Sequence, residues 1–223
     1  MKDKKNAKQT IKKKLSYFWD YYRFHMFAGI FVLILAVAGI CFSVQNNKPV
    51  FLNGYFLNSN WGDDLSRKML EDYASFKGCD LDKHKAYFNS SVYIDTQLKD
   101  QMSSVAYTKV MSEFDMKRVD FFFANQTIFD YFGPKEAFLD LEKNLPNDLL
   151  EKYQNNLMKT QQYDENDKVV GEYVAGIDVS NTKKLKEYEK SRKMYEDSPV
   201  IFSVAYNTIR LEEVIDFLRW LDE

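Results

Sequence analysis

From Phe24 to Asn47 the chain carries no Asp, Glu, Lys or Arg, and across Met26–Val44 (MFAGIFVLILAVAGICFSV) Ser43 is the one polar residue. As a helix rising about 1.5 Å per residue, these nineteen residues reach roughly 28 Å, close to a bilayer hydrocarbon core of about 30 Å. A helix buried in a soluble core usually keeps a polar face over such a length, and this one has none. The basic, then apolar, order also fits a secretory signal peptide, but the apolar run exceeds the usual h-region and no clean small-x-small site follows it. Val37-Ala38-Gly39-Ile40-Cys41 departs from a lipoprotein box because Ile40, not a small residue, precedes the cysteine. An uncleaved signal anchor is the better reading, and whether it is ever cut stays open.

Charge gives the anchor a direction. Eight Lys/Arg (Lys2, Lys4, Lys5, Lys8, Lys12, Lys13, Lys14 and Arg23) precede the apolar run, against Asp3 and Asp20, whereas Lys48 alone closely follows it. The positive-inside rule then places the N-terminus in the cytoplasm and residues 48–223 outside the cell membrane. Tyr17, Phe18, Trp19, Tyr21, Tyr22 and Phe24 stand where an interfacial aromatic belt belongs, and Lys12–Lys14 would be drawn to an anionic leaflet by about 1 kcal/mol per charge. The lipid bilayer, and no nucleic acid, is the partner this head implies. The chain thus divides into a basic-aromatic segment (1–23), a single-pass transmembrane signal anchor (24–47) and an extracytoplasmic domain (48–223).

The run Lys12-Lys-Lys-Leu-Ser-Tyr-Phe-Trp-Asp-Tyr-Tyr-Arg-Phe-His25, leading into one spanning helix, resembles the leader of small membrane-anchored proteins of low-GC Gram-positive bacteria. That resemblance bears on topology and source, not on activity.

The remaining 176 residues suffice for one domain. Val50–Leu57 is dense in aromatic and β-branched residues and reads as a strand. Asp63 or Asp64 can cap a following helix with Leu65, Met69, Tyr73 and Phe76 on one face, ended by Gly78. A second strand over Lys85–Ile94, a helix over Thr96–Met116 and a buried strand over Arg118–Ala124 complete a βαβαβ order, spaced for parallel crossovers. Beyond it come a short helix in Gln126–Phe132, an extended Phe138–Leu141, and a helix from Pro146 to about Met158. A hairpin spans Gln161–Ala175 around Asp164–Asp167, and a charged helix spans Ser180–Ser191. A strand over Ser198–Tyr206 and an amphipathic helix bearing Leu211, Val214, Ile215, Leu218 and Leu221 close the chain. The class is α/β, with a mostly parallel sheet flanked by helices.

Met116–Gly133 (MKRVDFFFANQTIFDYFG), the later Phe138-Leu-Asp-Leu, and the closing Pro199–Asn207 with its helix together resemble passages of type 2 extracellular solute-binding proteins. The resemblance covers about 60 residues and implies one lobe of a binding protein, the second lobe missing or reduced. It implies a small ligand such as a sugar, an amino acid or a peptide.

Catalytic patterns are sparse. No Gly-x-Ser-x-Gly elbow, His-Glu-x-x-His, Cys-x-x-Cys, Walker loop or Gly-x-Gly-x-x-Gly occurs, and His84 stands among charged neighbours. Cys79 and Cys41 cannot pair if the latter lies in a membrane. Asp164–Asp167 lacks the Gly and Glu that complete a calcium loop and reads as a turn. No metal, cofactor or catalytic residue is assigned, and the chain is read as non-enzymatic. Ligands of open α/β sheets sit at the carboxyl ends of the strands. The candidate binding residues are therefore Asn58, Asn60 and Trp61 after the first strand, Asn125 and Gln126 after the third, and Tyr206 and Asn207 after the last, whose direction the sequence leaves undetermined. The alternative is a structural or assembly module of a membrane complex, with a membrane-protein partner and no small-molecule site.

Overall fold

The structure is a computed structural model that describes residues 2–46, 48–164, 166 and 168–223; within the first helix the described side chains are those of residues 19 and 21–43. Tyr17, Phe18 and Lys12–Lys14, as side chains, and Asn47, Glu165 and Asp167 altogether, lie outside the described residues. The chain forms two compact units, Met1–Lys48 and Pro49–Glu223.

The first unit is one helix, α1 (Lys2–Asn46), so the basic head and the apolar run share a continuous backbone. Its stretch Tyr21–Ser43 has a mean hydropathy of 2.6 over 23 residues, and as a helix is long and apolar enough to cross a membrane. Phe24, Phe27, Phe31, Leu33 and Ile40 are all more than half exposed. An unburied apolar surface running around a helix calls for an apolar medium or a partner.

The second unit is a six-stranded sheet in the order β2-β1-β3-β6-β5-β4. Its strands are β1 (Val50–Phe56), β2 (Lys85–Asn89), β3 (Phe121–Ala124), β4 (Leu157–Tyr163), β5 (Val169–Asp178) and β6 (Ile201–Val204). The helices are α2 (Asp63–Lys77), α3 (Gln101–Asp115), α4 (Gln126–Phe132), α5 (Leu141–Asn144), α6 (Asn147–Lys152), α7 (Lys183–Glu189) and α8 (Leu211–Trp220). The α/β class stands, and β1 pairs in parallel with both β2 and β3. The sheet is nevertheless mixed rather than mostly parallel: β3–β6, β6–β5 and β5–β4 are all antiparallel.

Alternation along β3 divides the core. Phe121 and Phe123 face α2, α7 and α8 with Leu52, Phe56, Phe202 and Phe217; Phe122 and Ala124 face α3 and α4 with Tyr55, Phe114 and Phe129. A strand buried on both faces is why this segment reads as a continuous apolar run. Gly54 makes room on the first face. A Cβ there would stand 2.1 Å from Cζ of Phe121, whose ring is already packed on Phe88, Phe202 and Phe217.

Several boundaries differ from the sequence reading for identifiable reasons. The second strand ends at Asn89 rather than Ile94, because Asn89 Oδ1 accepts the Ser91 N–H (3.0 Å), and Ser91 Oγ donates to Asp63 Oδ1 (2.7 Å). Neither Asp63 nor Asp64 caps α2; Gly62 holds that position without a side-chain bond. Gly78, at φ +65°, does close α2 in the left-handed region that glycine occupies without strain. The helix at Asn147 stops at Lys152, well short of Met158, since Asn156 N–H turns back to Tyr153 C=O (2.7 Å) and Leu157 enters β4. The hairpin is present as β4 and β5.

At the amino end of β3 lies a wholly buried charge. Asp120, 0% exposed, accepts the Asn53 backbone N–H (2.8 Å), the Thr208 hydroxyl (2.7 Å) and Arg210 Nε–H (2.9 Å). Arg210 also donates to Lys117 C=O (3.2 Å), so it ties the start of α8 to the turn before β3.

Two predictions follow from this packing. Arg210→Met strands a buried carboxylate and should cost about 3–5 kcal/mol, read as a lower urea midpoint. Gly54→Ala should cost about 1–3 kcal/mol by overpacking the Phe121 ring, with the loss of near-ultraviolet aromatic ellipticity as an independent readout.

Candidate functional site

The parallel strands β1 and β3 end side by side, with Leu57 N–H donating to Phe123 C=O (2.8 Å). Five of the seven candidate residues gather at this end: Asn58, Asn60 and Trp61 after β1, Asn125 and Gln126 after β3. Tyr206 and Asn207 do not join them. Because β6 runs antiparallel to β3, with Phe121 opposite Val204 and Ala124 opposite Ile201, its carboxyl end lies at the amino end of β3. There the Tyr206 ring packs on Phe114 (5.3 Å between centroids), and Asn207 Nδ2 donates to Phe114 C=O (2.8 Å).

Each of the five gathered residues has a local bonding role. Asn58, at φ +55°, accepts the Ile94 N–H at Oδ1 (2.7 Å) and donates from Nδ2 to Ile94 C=O (2.9 Å). Its amide thus substitutes for a strand and holds the 92–94 segment beside β1. Asn125 Oδ1 accepts the Ile128 N–H (2.9 Å), capping α4. Gln126 receives support at its backbone from Ser198 Oγ (2.9 Å) and donates Nε2–H to Asp130 (2.8 Å). Asn60, whose side chain is the most open, gives its N–H to Met194 C=O (2.9 Å).

Trp61 and a residue the sequence reading missed fill the crevice itself. Trp61 is 2% exposed, stacks on Phe56 (5.9 Å), meets Tyr188 (5.7 Å), and donates its indole N–H to Arg192 C=O (2.8 Å). Tyr195, from the loop between α7 and β6, is also buried. Its hydroxyl lies 2.7 Å from Leu57 C=O and 3.1 Å from Phe123 C=O. One phenolic hydrogen is shared between the carbonyls that end β1 and β3, where the first atoms of a ligand would otherwise sit. Burial pushes the Tyr195 phenol well above its ordinary 10.0. The only sequence signal for this plug is an apolar Met194-Tyr195 pair within the charged run Lys190–Asp197.

The other chemistry-bearing side chains are placed as follows. His84 Nδ1 lies 3.0 Å from Asp80 C=O on the surface. Cys79 and Cys41 are both free thiols, and burial, reinforced by Asp80, raises the Cys79 thiol. Asp164 Oδ1 accepts the N–H groups of Asn166 (2.8 Å) and Lys168 (3.0 Å), as a turn residue does. Among the described residues no three His, Cys, Asp or Glu side chains converge as a metal site.

A cavity of about 590 Å³ opens elsewhere, between α2 and α7 over the end of α8. Lys68 Nζ lies 5.9 Å from the centre of the Tyr188 ring, and Lys184 Nζ lies 5.6 Å from that of Trp220. Asp72 accepts the Tyr188 hydroxyl (2.6 Å), and desolvation with that bond raises the Tyr188 phenol. Comparison with protein-family models, with curated proteins and with solved structures finds no match to this chain.

Tyr195→Phe provides a pH test of the plug. A folded-state phenol held above its unfolded value of about 10 contributes stability that is full below pH 10 and falls as pH rises past it. The substitution should leave the fold about 1 kcal/mol weaker at neutral pH. Above pH 10 it should flatten the decline of unfolding free energy by up to about 1.4 kcal/mol per pH unit, measured by urea titration at several pH values.

Proposed function

We propose that this chain is a single-pass membrane protein, N-terminus in the cytoplasm, whose Pro49–Glu223 domain stands outside and works as a non-catalytic docking module for a partner protein. The observation that carries the docking reading is the filling of the strand-end crevice by Trp61 and Tyr195. A small ligand seated as in open α/β sheets needs that space. Here the carbonyls of Leu57 and Phe123 are already bonded from within the chain. Support for the anchor comes from the 23-residue apolar stretch of α1, and for its direction from the eight basic residues before it. The resemblance to solute-binding proteins enters as a proposed kinship of the scaffold, one lobe put to docking use.

Three measurements test this reading. Alkaline phosphatase fused after Glu223 should be active in intact cells, and an inactive fusion in the membrane fraction reverses the orientation. For the full-length protein in detergent, sugars and free amino acids should leave the melting temperature unchanged, while amine-reactive crosslinking in native membranes should give a discrete higher-mass adduct. A ligand at 100 times its Kd would add about 2.7 kcal/mol and several degrees. Such a shift, with no adduct, would return the domain to small-solute binding.

A further inference from the structure

We propose that the groove between α2 and α7 is where the partner docks, and that its occupant is an acidic protein segment with an apolar face. This deepens the docking reading and rests on it. Three observations carry the assignment. The first is a local reversal of charge: the cavity lining holds Lys68, Lys184 and Lys190 against Asp72 and Glu187, whereas Pro49–Glu223 as a whole holds 22 basic residues against 31 acidic ones. An electropositive strip on an acidic domain selects for carboxylates and against most of the domain's own surface.

The second is the way the charges are held. Lys68 and Lys184 come from different helices, and each rests against an aromatic face, Tyr188 and Trp220 respectively. A ring face restrains an ammonium without neutralising it, so the ordering cost of a salt bridge is partly met before binding. Of the two acids in the lining, Asp72 is taken up by the fold, accepting the Tyr188 hydroxyl (2.6 Å), which leaves Glu187 beside the three lysines. The Asp72 lone pairs therefore compete less for the lysines than a free carboxylate would.

The third is the apolar part of the lining. Leu65, Trp220 and the 53%-exposed Phe76 border the same cavity. A bare phosphate would leave these surfaces wet, and the lining holds no arginine to grip one bidentately. A segment bearing both carboxylates and aliphatic or aromatic side chains satisfies both halves. At about 590 Å³ the cavity falls within the roughly 300–1,000 Å³ of built ligand sites, room for a few side chains rather than a whole domain.

The test uses the full-length protein in detergent and a fluorescein-labelled short peptide of Leu, Phe and Glu, read by fluorescence anisotropy. Saturable binding is expected, weakened about tenfold or more by Lys68→Glu/Lys184→Glu and unchanged by the distant Lys99→Glu/Lys159→Glu. Circular dichroism confirms that both variants fold. A peptide with Lys for every Glu, and one with Ser for every Leu and Phe, should each bind at least tenfold more weakly. No binding below about 1 mM, equal binding by either control peptide, or indifference to the groove substitutions overturns the proposal. The crosslinking experiment separates the two levels. An adduct that persists with Lys68→Glu/Lys184→Glu removes the groove and leaves docking standing, whereas the absence of any adduct from the wild-type chain removes both.

Discussion

The carboxylate of Asp120 is the constraint around which the Pro49–Glu223 domain is arranged. A fully buried charge tolerates little displacement, because each lost bond leaves it unsolvated. Its three partners come from two places in the chain: the backbone of Asn53 in β1, and the Thr208 hydroxyl and Arg210 guanidinium in the connection between β6 and α8. Meeting all three fixes the offset of β1 against β3 and the point at which the chain turns from β6 into the last helix. That helix then delivers Phe217 onto Phe121 (4.8 Å) and Trp220 onto Tyr73 (5.3 Å). A network of this kind contributes more through the geometry it enforces than through net free energy, since a well-packed apolar substitute is often as stable.

The first half of the domain was legible because its signals are local. Alternating burial, helical spacing and a terminal glycine each speak within a few residues, so β1, α2 and β3 fall close to where the pattern puts them. What escaped is what only distant partners decide. Nothing near Pro199–Tyr206 says that β6 runs against β3, and with that direction went the separation of Tyr206 and Asn207 from the other candidates. The shortfall of β2 depends on Asp63 meeting Ser91 across 28 positions. The early end of α6 depends on sheet pairing that claims Leu157.

The candidate site shows the same division more sharply. Asn58, Trp61 and Asn125 were singled out as residue types that bind ligands, and they do occupy the expected end of the sheet. Their polar groups are spent on Ile94, Arg192 and Ile128. Amides and indoles serve loop architecture with the same atoms they would offer a solute, so type and position together cannot separate the two uses. Tyr195 was invisible for the opposite reason: it lies in a charged stretch and matters only through carbonyls 138 and 72 residues away.

The chain comes into this domain at Pro49, at the amino end of β1, and the Tyr195 loop closes the far end. Seven residues of strand, at about 3.3 Å each, put some 23 Å between them. The domain therefore has one pole braced by a salt bridge and the opposite pole braced by a phenol. With both ends of the parallel β1–β3 pair tied by side chains from the second half of the chain, Arg210 through Asp120 and Tyr195 through Leu57 and Phe123, the two strands cannot part without breaking a bond at one end or the other.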